Sequence, residues 1–382
     1  GRQVEILVLD LGRLQNAQHS DAQRPGRWSR AATNATLAKH LRGAEQPQLG
    51  GRCLLHPQGV GAGGSGNVNA MFHVRGFRED FEAWPWPMQE IESAFEEVDR
   101  RMLSKDCNGK SQSRNPPTQV GKEFAAAAER ALGAKMVAEE DGYMHYGTTV
   151  EYPAAMCPSK EHGYHRTNPW TSFVAPQLAD ARTRISYVRF DVEKLLLQPP
   201  NGHGAGVSWQ CVGVAGRHVQ EGKSVELRTA GVGEVILSAG TFGSPKILML
   251  SGVGPRAMLE RASIGVKVDS PVGQQLFDHP LLGIASLSFT GMRDLLHYAL
   301  GPDRASLGAG CGPPEKGPSG LQAWTVFRSR NAKTLQIFMG GGTAQLHLAS
   351  ELLLPTYGVS SMEQCASFRE RVLLYLYQRC FQ

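Results

Sequence analysis

The chain has 382 residues, long enough for two domains with sizeable cores, and its 41% hydrophobic content belongs to a globular rather than a disordered protein. A formal charge of +5 is small for this length, and the 40 Lys and Arg residues are dispersed, which gives a nucleic-acid partner no support. No apolar stretch is long enough to predict a transmembrane segment. The seven cysteines lack C-x-x-C spacing, which argues against zinc and a disulfide framework and favours a reducing compartment.

In chain order, Val4 to Gly12 (VEILVLDLG) reads as a buried strand ending in an acid, Asp10. In a dinucleotide-binding βαβ unit that acid accepts ribose hydroxyls. Residues 15–47 are polar with little apolar periodicity and read as diverged or inserted. The stretch from Gly59 to Gly66 is dense in glycine and is followed by Asn69, Met71 and Arg75. Such a loop offers backbone amides and side-chain donors to an extended polar ligand. Residues 103–119 read as a surface loop. Residues 121–132 (GKEFAAAAERAL) predict a helix with Phe124, Ala128 and Leu132 on one stripe. Ile185 to Leu196 predicts a strand that includes Val192.

Glu234 to Ser238 (EVILS) predicts a strand buried on both faces. Ala239, Gly240 and Gly243 then strip bulk from its carboxyl end, where ligands sit in open α/β sheets. Ser244 and Pro245 read as N-cap and first helical residue, and Ser251-Gly-Val-Gly254-Pro255 as the helix end. A helix N-terminus facing glycines suits an anionic group. Residues 301–320, rich in glycine and proline, read as a flexible excursion before an aromatic strand at 324–330 (WTVFRSR). Residues 344–382 hold two apolar stretches broken at Pro355, and one histidine, His347, without a motif around it.

Other chemistries fit less well. Asp278 and His279 are adjacent, and neighbouring loop residues usually point apart. Glu161, His162 and His165 lack the i, i+4 face and a distant third ligand that a metal needs. Gly63 to Asn67 lacks the last glycine of a hydrolase elbow and has no clear strand before it.

The block from Gly240 to Pro280 (GTFGSPKIL, SGVGP and VGQQLFDHP) resembles the second signature of the glucose-methanol-choline (GMC) oxidoreductases, flavoenzymes that bind FAD and oxidise alcohols. His56 to Gly76 resembles their first signature, P-R-G-K-x-L-G-G-S-S-x-x-N-x-M-x-x-x-R-G, and Asp80, Phe81 and Trp84 match the following D-[YF]-x-x-W. Residues 163–176 resemble a third family stretch, with Arg166 out of register. Gln58, Val60, Ala62 and Gly66 replace the first signature's arginine, lysine, leucine and second serine, and Gln275 replaces an asparagine of the second.

The resemblance implies an α/β protein with a Rossmann-like FAD-binding domain (residues 1–100 and 181–290) and a substrate domain of antiparallel sheet plus helices (101–180 and 291–382). It implies FAD as cofactor and a small-molecule alcohol as substrate. The expected cofactor-binding residues are Asp10, Gly63, Gly64, Ser65, Asn69, Met71, Val192, Gly240, Asp278 and His279, with Val192 meeting the adenine through its backbone. No catalytic residue is assigned. The family's first strand with G-x-G-x-x-G is expected about thirty residues upstream of this start, and its catalytic histidine near the carboxyl terminus finds no match after Gly340. An inactive or truncated family remnant that no longer holds FAD is the alternative.

Overall fold

A computed structural model describes residues 4–103, 114–115, 117, 119–138, 141–159, 163–180, 183–199, 209–231, 233–278, 321–328 and 334–340. The strands in chain order are β1 Val4–Asp10, β2 Ala38–Gln46, β3 Arg52–Gly59, β4 Arg114–Asn115, β5 Gly147–Thr149, β6 Tyr152–Pro153, β7 Met156–Ser159, β8 Gly163–Arg166, β9 Thr183–Gln198, β10 Gln210–His218, β11 Ser224–Arg228, β12 Val253–Gly254, β13 Val268–Asp269, β14 Leu321–Arg328 and β15 Thr334–Gly340. The α-helices are α1 Ser20–Gln23, α2 Trp28–Thr33, α3 Met88–Met102, α4 Gln119–Leu132, α5 Gly240–Leu250 and α6 Arg256–Arg261. By contacts the chain divides into two units, one of Gly1–Arg13 with Ala181–Leu287 and one of Leu14–Asp180 with Ser288–Gln382.

The first unit is built on a four-stranded sheet in the order β1-β9-β10-β11. The amino-terminal half of β9 runs parallel to β1, from Val4 opposite Thr183 to Asp10 opposite Arg189. Its carboxyl half runs antiparallel to β10, which pairs in turn with β11. Bulges break the β9–β10 register near Gly213 and Gly216. Side chains there are excluded: a Cβ on Gly213 would lie 2.1 Å from the Leu227 oxygen and one on Gly216 2.0 Å from the Asp191 oxygen. Leu195, Val214 and Ile247 of α5 form the core, joined by Leu9, Val192, Leu197, Val235 and Leu237. Burial of each large aliphatic side chain contributes about 1.5–3 kcal/mol.

Three expectations for this unit are corrected. Strand β1 is not buried, since Ile6 is 42% and Leu7 46% exposed. Residues 234–238 are not a strand buried on both faces: among the described residues no strand pairs with them, and Ile236 is 83% exposed. Successive side chains of an extended segment point to opposite sides, so Val235 and Leu237 reach the core while Ile236 does not. Ser244 is not the N-cap either. The helix begins at Gly240 with Ala239 as its cap residue, Pro245 lies inside it, and the Ser244 hydroxyl accepts from the Ala239 amide at 2.9 Å. The serine closes the entry turn from within.

The second unit contains the hairpin β2–β3, the strand set β15-β14-β5 and the short pairs β4–β6 and β7–β8. Residues 15–47, polar and with little apolar periodicity, fold into short helices and β2. Their core is made mostly of small residues, Ala22, Ala31, Ala32 and Ala38 around Leu37 and Val68. Helix α4 forms as expected, with Ala125 and Ala128 buried. Leu132, placed on its buried stripe by the sequence, is 45% exposed at the helix end. The expected strand at 324–330 corresponds to β14. A strand, β3, does precede the glycine loop.

Candidate functional site

The glycine loop of the second unit is positioned from both ends. At its entry, the Val60 amide donates to the Leu37 oxygen at 2.9 Å, and the buried Asn16 amide donates to the oxygens of Thr36 and Val60 at 2.9 and 2.8 Å. The chain then folds back so tightly that a Cβ on Gly59 would lie 2.3 Å from the Gly64 oxygen, and the Ser65 hydroxyl accepts from the Gly59 amide at 3.1 Å. Gly63 takes φ +95°, and the Asn67 side chain fills the place a Cβ would need, at 2.6 Å. Asn67 is fully buried and donates to the Ala62 oxygen at 2.7 Å. Gly64, at φ +51°, has nothing within 4 Å of where its Cβ would be. Its backbone is therefore open to close approach.

Five of the expected residues, Gly63, Gly64, Ser65, Asn69 and Met71, thus share one loop. Ser65 and Asn69 are exposed. Met71 is not: it is 1% exposed, takes φ +61°, and packs with Trp28 and Ala155. Asn69 braces that unusual backbone by accepting from the Met71 amide at 3.1 Å. The loop end rests on Arg166, which the sequence pattern left out of register. Arg166 is 1% exposed and donates from Nη1 to the Gly66 oxygen (3.0 Å), the Asn69 oxygen (2.8 Å) and Asn69 Oδ1 (2.6 Å), and from Nε to the Ala22 oxygen (2.7 Å).

Beyond the loop, Asp80 accepts from the Phe77 amide at 3.1 Å and closes the turn that delivers Phe81 to a core with Ile91 and Tyr143. Trp84 packs edge-on against Phe81, with centroids 5.1 Å apart. The motif is therefore an anchor. Arg75 forms an ion pair with the buried Asp99 of α3, and His73 Nε2 lies 2.8 Å from the other oxygen of that carboxylate. Burial opposes the charge on Asp99, but the hydrogen bonds from His73 and Arg75 and the Arg75 charge outweigh it and hold the carboxyl below its usual range. The small polar cavity beside these residues, about 40 Å³, has room for water rather than a cofactor.

In the first unit, Asp10 ends β1 and accepts from the Gly12 amide at 2.7 Å. Val192 lies three residues along β9 from Arg189, the register partner of Asp10, about 10 Å along the strand. Its side chain packs in the core with Leu9 and Ala239, the neighbours of Asp10 and Gly240. Gly240, exposed at φ +81°, opens α5. Asp278 is exposed, while His279 lies outside the described residues, as do Glu161, His162 and His347. Among the described residues no group of three His, Cys, Asp or Glu side chains is placed to hold a metal, and no helix is long and apolar enough to cross a membrane.

Sequence reasoning missed the role of Ser251 in this unit. Its hydroxyl donates to the Ile247 oxygen at 2.6 Å and accepts from the Leu195 amide at 2.7 Å. Gly252 follows at φ +88°, where a Cβ would meet the Gly265 oxygen at 2.5 Å. The S-G-V-G run is thus a knot between helix and sheet.

Each unit by itself offers groups that suit a polar or anionic ligand: the first has an acid at a strand end and a helix opening on an exposed glycine, and the second has a loop with an accessible backbone and exposed Ser65 and Asn69 side chains. The family profile described as GMC oxidoreductase matches residues 28–281. An oxygen-dependent choline dehydrogenase of Sinorhizobium fredii is 30% identical over 250 residues, a match covering 61% of this chain and 41% of that protein. The corresponding protein of Photobacterium profundum is 31% identical over 254 residues, covering 61% and 40%. The chain thus spans well under half the length of these curated relatives. The fold matches pyridoxine 4-oxidase from Mesorbium loti (TM-score 0.54, 20% identity, 69% of this chain and 50% of that one). It also matches a formate oxidase from Aspergillus oryzae studied for FAD modification (TM-score 0.57, 16% identity, 85% and 57%). With a family profile spanning about two thirds of its length, the chain belongs to the GMC oxidoreductase family.

Proposed function

We propose that this chain binds FAD and takes part in oxidising the CH–OH group of a small-molecule alcohol. The observation that carries the reading is the glycine loop, whose open space at the Gly64 Cβ position and exposed Ser65 and Asn69 fall within the matched family region. Gly63, Gly64, Ser65 and Asn69 would hold the cofactor through backbone and side-chain donors, with Met71 acting through its position at the loop's base. Asp10 would accept from the ribose hydroxyls, the start of α5 at Gly240 would face negative charge, and Val192, Asp278 and His279 complete the set. When bound, FAD supplies a two-electron acceptor for hydride from the carbinol carbon.

In this reading residues 1–100 and 181–290 serve the cofactor, and residues 101–180 and 291–382 shape the alcohol's surroundings. Choline is the first alcohol to try, because the relatives are choline dehydrogenases. The test is to load the protein with FAD, exclude oxygen, and add choline and a panel of primary alcohols. Loss of the oxidised-flavin absorbance with one of them is expected. Unchanged absorbance with all of them, in protein that holds FAD, would refute the alcohol-oxidising part and leave a flavin-binding protein.

A further inference from the structure

Arg166 is a buried cation without a buried anion. It is 1% exposed, and among the described residues no carboxylate is within ion-pair distance of it. The acid beside its partner Ala22, Asp21, is instead engaged by Arg27 at 3.3 Å and Arg30 at 3.9 Å. Oxygens solvate the guanidinium in place of a counter-ion: Ala22, Gly66 and Asn69 through their carbonyls, and Asn69 again through Oδ1. Dipoles of this kind offset part of the desolvation cost and leave the net charge in place. Burial pushes the group down to about 9, so it stays protonated at neutral pH.

Two further observations tie that charge to the glycine loop. The second terminal nitrogen, Nη2, is buried and has no hydrogen-bond partner. The segment carrying Arg166 also packs directly under the loop, where a Cβ on Gly66 would lie 2.4 Å from Pro169 Cδ. The loop itself has Gln58 and Val60 at positions where the family signature carries arginine and lysine, so it brings no cation of its own at either place.

We propose that Arg166 is a positioning residue that holds the 59–69 loop by its carbonyls and, through its unpaired charge, makes that loop selective for an anionic ligand. This deepens the FAD reading and rests on it, the ligand's diphosphate being the group selected. A merely structural arginine would support the loop equally for a charged and an uncharged flavin; an unpaired charge discriminates between them.

The test uses FAD and riboflavin, which share the isoalloxazine ring but differ in the diphosphate, titrated into the wild-type chain and Arg166→Met by flavin fluorescence. Asn69→Asp keeps the Oδ1 acceptor for Arg166 and for the Met71 amide, sits at an exposed position, and pairs the buried cation; because Asn69 is itself proposed to hold the cofactor, this variant is read by its thermal midpoint alone. Arg166→Met is expected to weaken FAD about tenfold while changing riboflavin by less than about threefold, and Asn69→Asp to raise the thermal unfolding midpoint. Equal losses for both flavins or no loss for FAD in Arg166→Met, or a lowered midpoint in Asn69→Asp, would overturn the proposal. If Arg166→Met does not fold, Arg166→Lys, which keeps the charge and gives up the planar fork, decides: a retained preference for FAD over riboflavin upholds the proposal and a lost one overturns it. If the wild-type chain takes up no FAD, the cofactor reading fails separately, and inorganic pyrophosphate then decides. Thermal stabilisation of the wild type that Arg166→Met abolishes upholds the charge selectivity, and its absence overturns it.

Discussion

The amide of Leu195 on β9 donates to the hydroxyl of Ser251 at the end of α5, at 2.7 Å and fully buried. A ladder strand lends one of its donors to a helix terminus, and the same hydroxyl satisfies the Ile247 carbonyl. Ser251→Ala would leave the Leu195 amide unpaired in the core. The expected cost is about 1–3 kcal/mol, read as a lower urea midpoint with unchanged slope. A midpoint equal to wild type would show that the helix end is held by its apolar packing alone.

The glycines of the 59–66 loop are not equivalent. A methyl on Gly59 meets the Gly64 oxygen at 2.3 Å, whereas one on Gly64 meets nothing within 4 Å and bears only the φ +51° penalty. Gly64→Ala is therefore expected to cost about 1–2 kcal/mol, and Gly59→Ala clearly more, because backbone must move. Melting temperatures of the two variants rank them, and a Gly59→Ala as stable as Gly64→Ala would contradict the tight return of the chain.

Asp99 makes stability depend on acid. Its carboxyl sits below the ordinary value in the fold, opposed by burial but held by His73 and Arg75. The contribution is full above the unfolded value of about 3.9 and is lost as pH falls through the lower folded value. Asp99→Asn is expected to destabilise the chain at neutral pH, with the gap to wild type narrowing below about pH 4. A gap constant down to pH 2 would contradict the ion pair.

Much of the site region was legible because glycine patterns report backbone shape directly. Gly63 and Gly252 stand where a Cβ has no room, and β9, α4 and β14 follow from strong local patterns. The alanine core around Leu37 was illegible since small side chains give no amphipathic period. Ile236 misled because an apolar run does not state which face finds a partner. Arg166 and Ser251 were missed because their meaning lies in partners far away in sequence, Gly66 and Asn69 for one and Leu195 for the other.

Whether the chain holds FAD is read most directly from the visible absorption spectrum of purified protein incubated with FAD and freed of excess by gel filtration. Oxidised-flavin bands travelling with the protein, in near-equimolar amount, are the predicted result. A folded but colourless protein would contradict the claim and identify the chain as a family member whose residues no longer retain the cofactor.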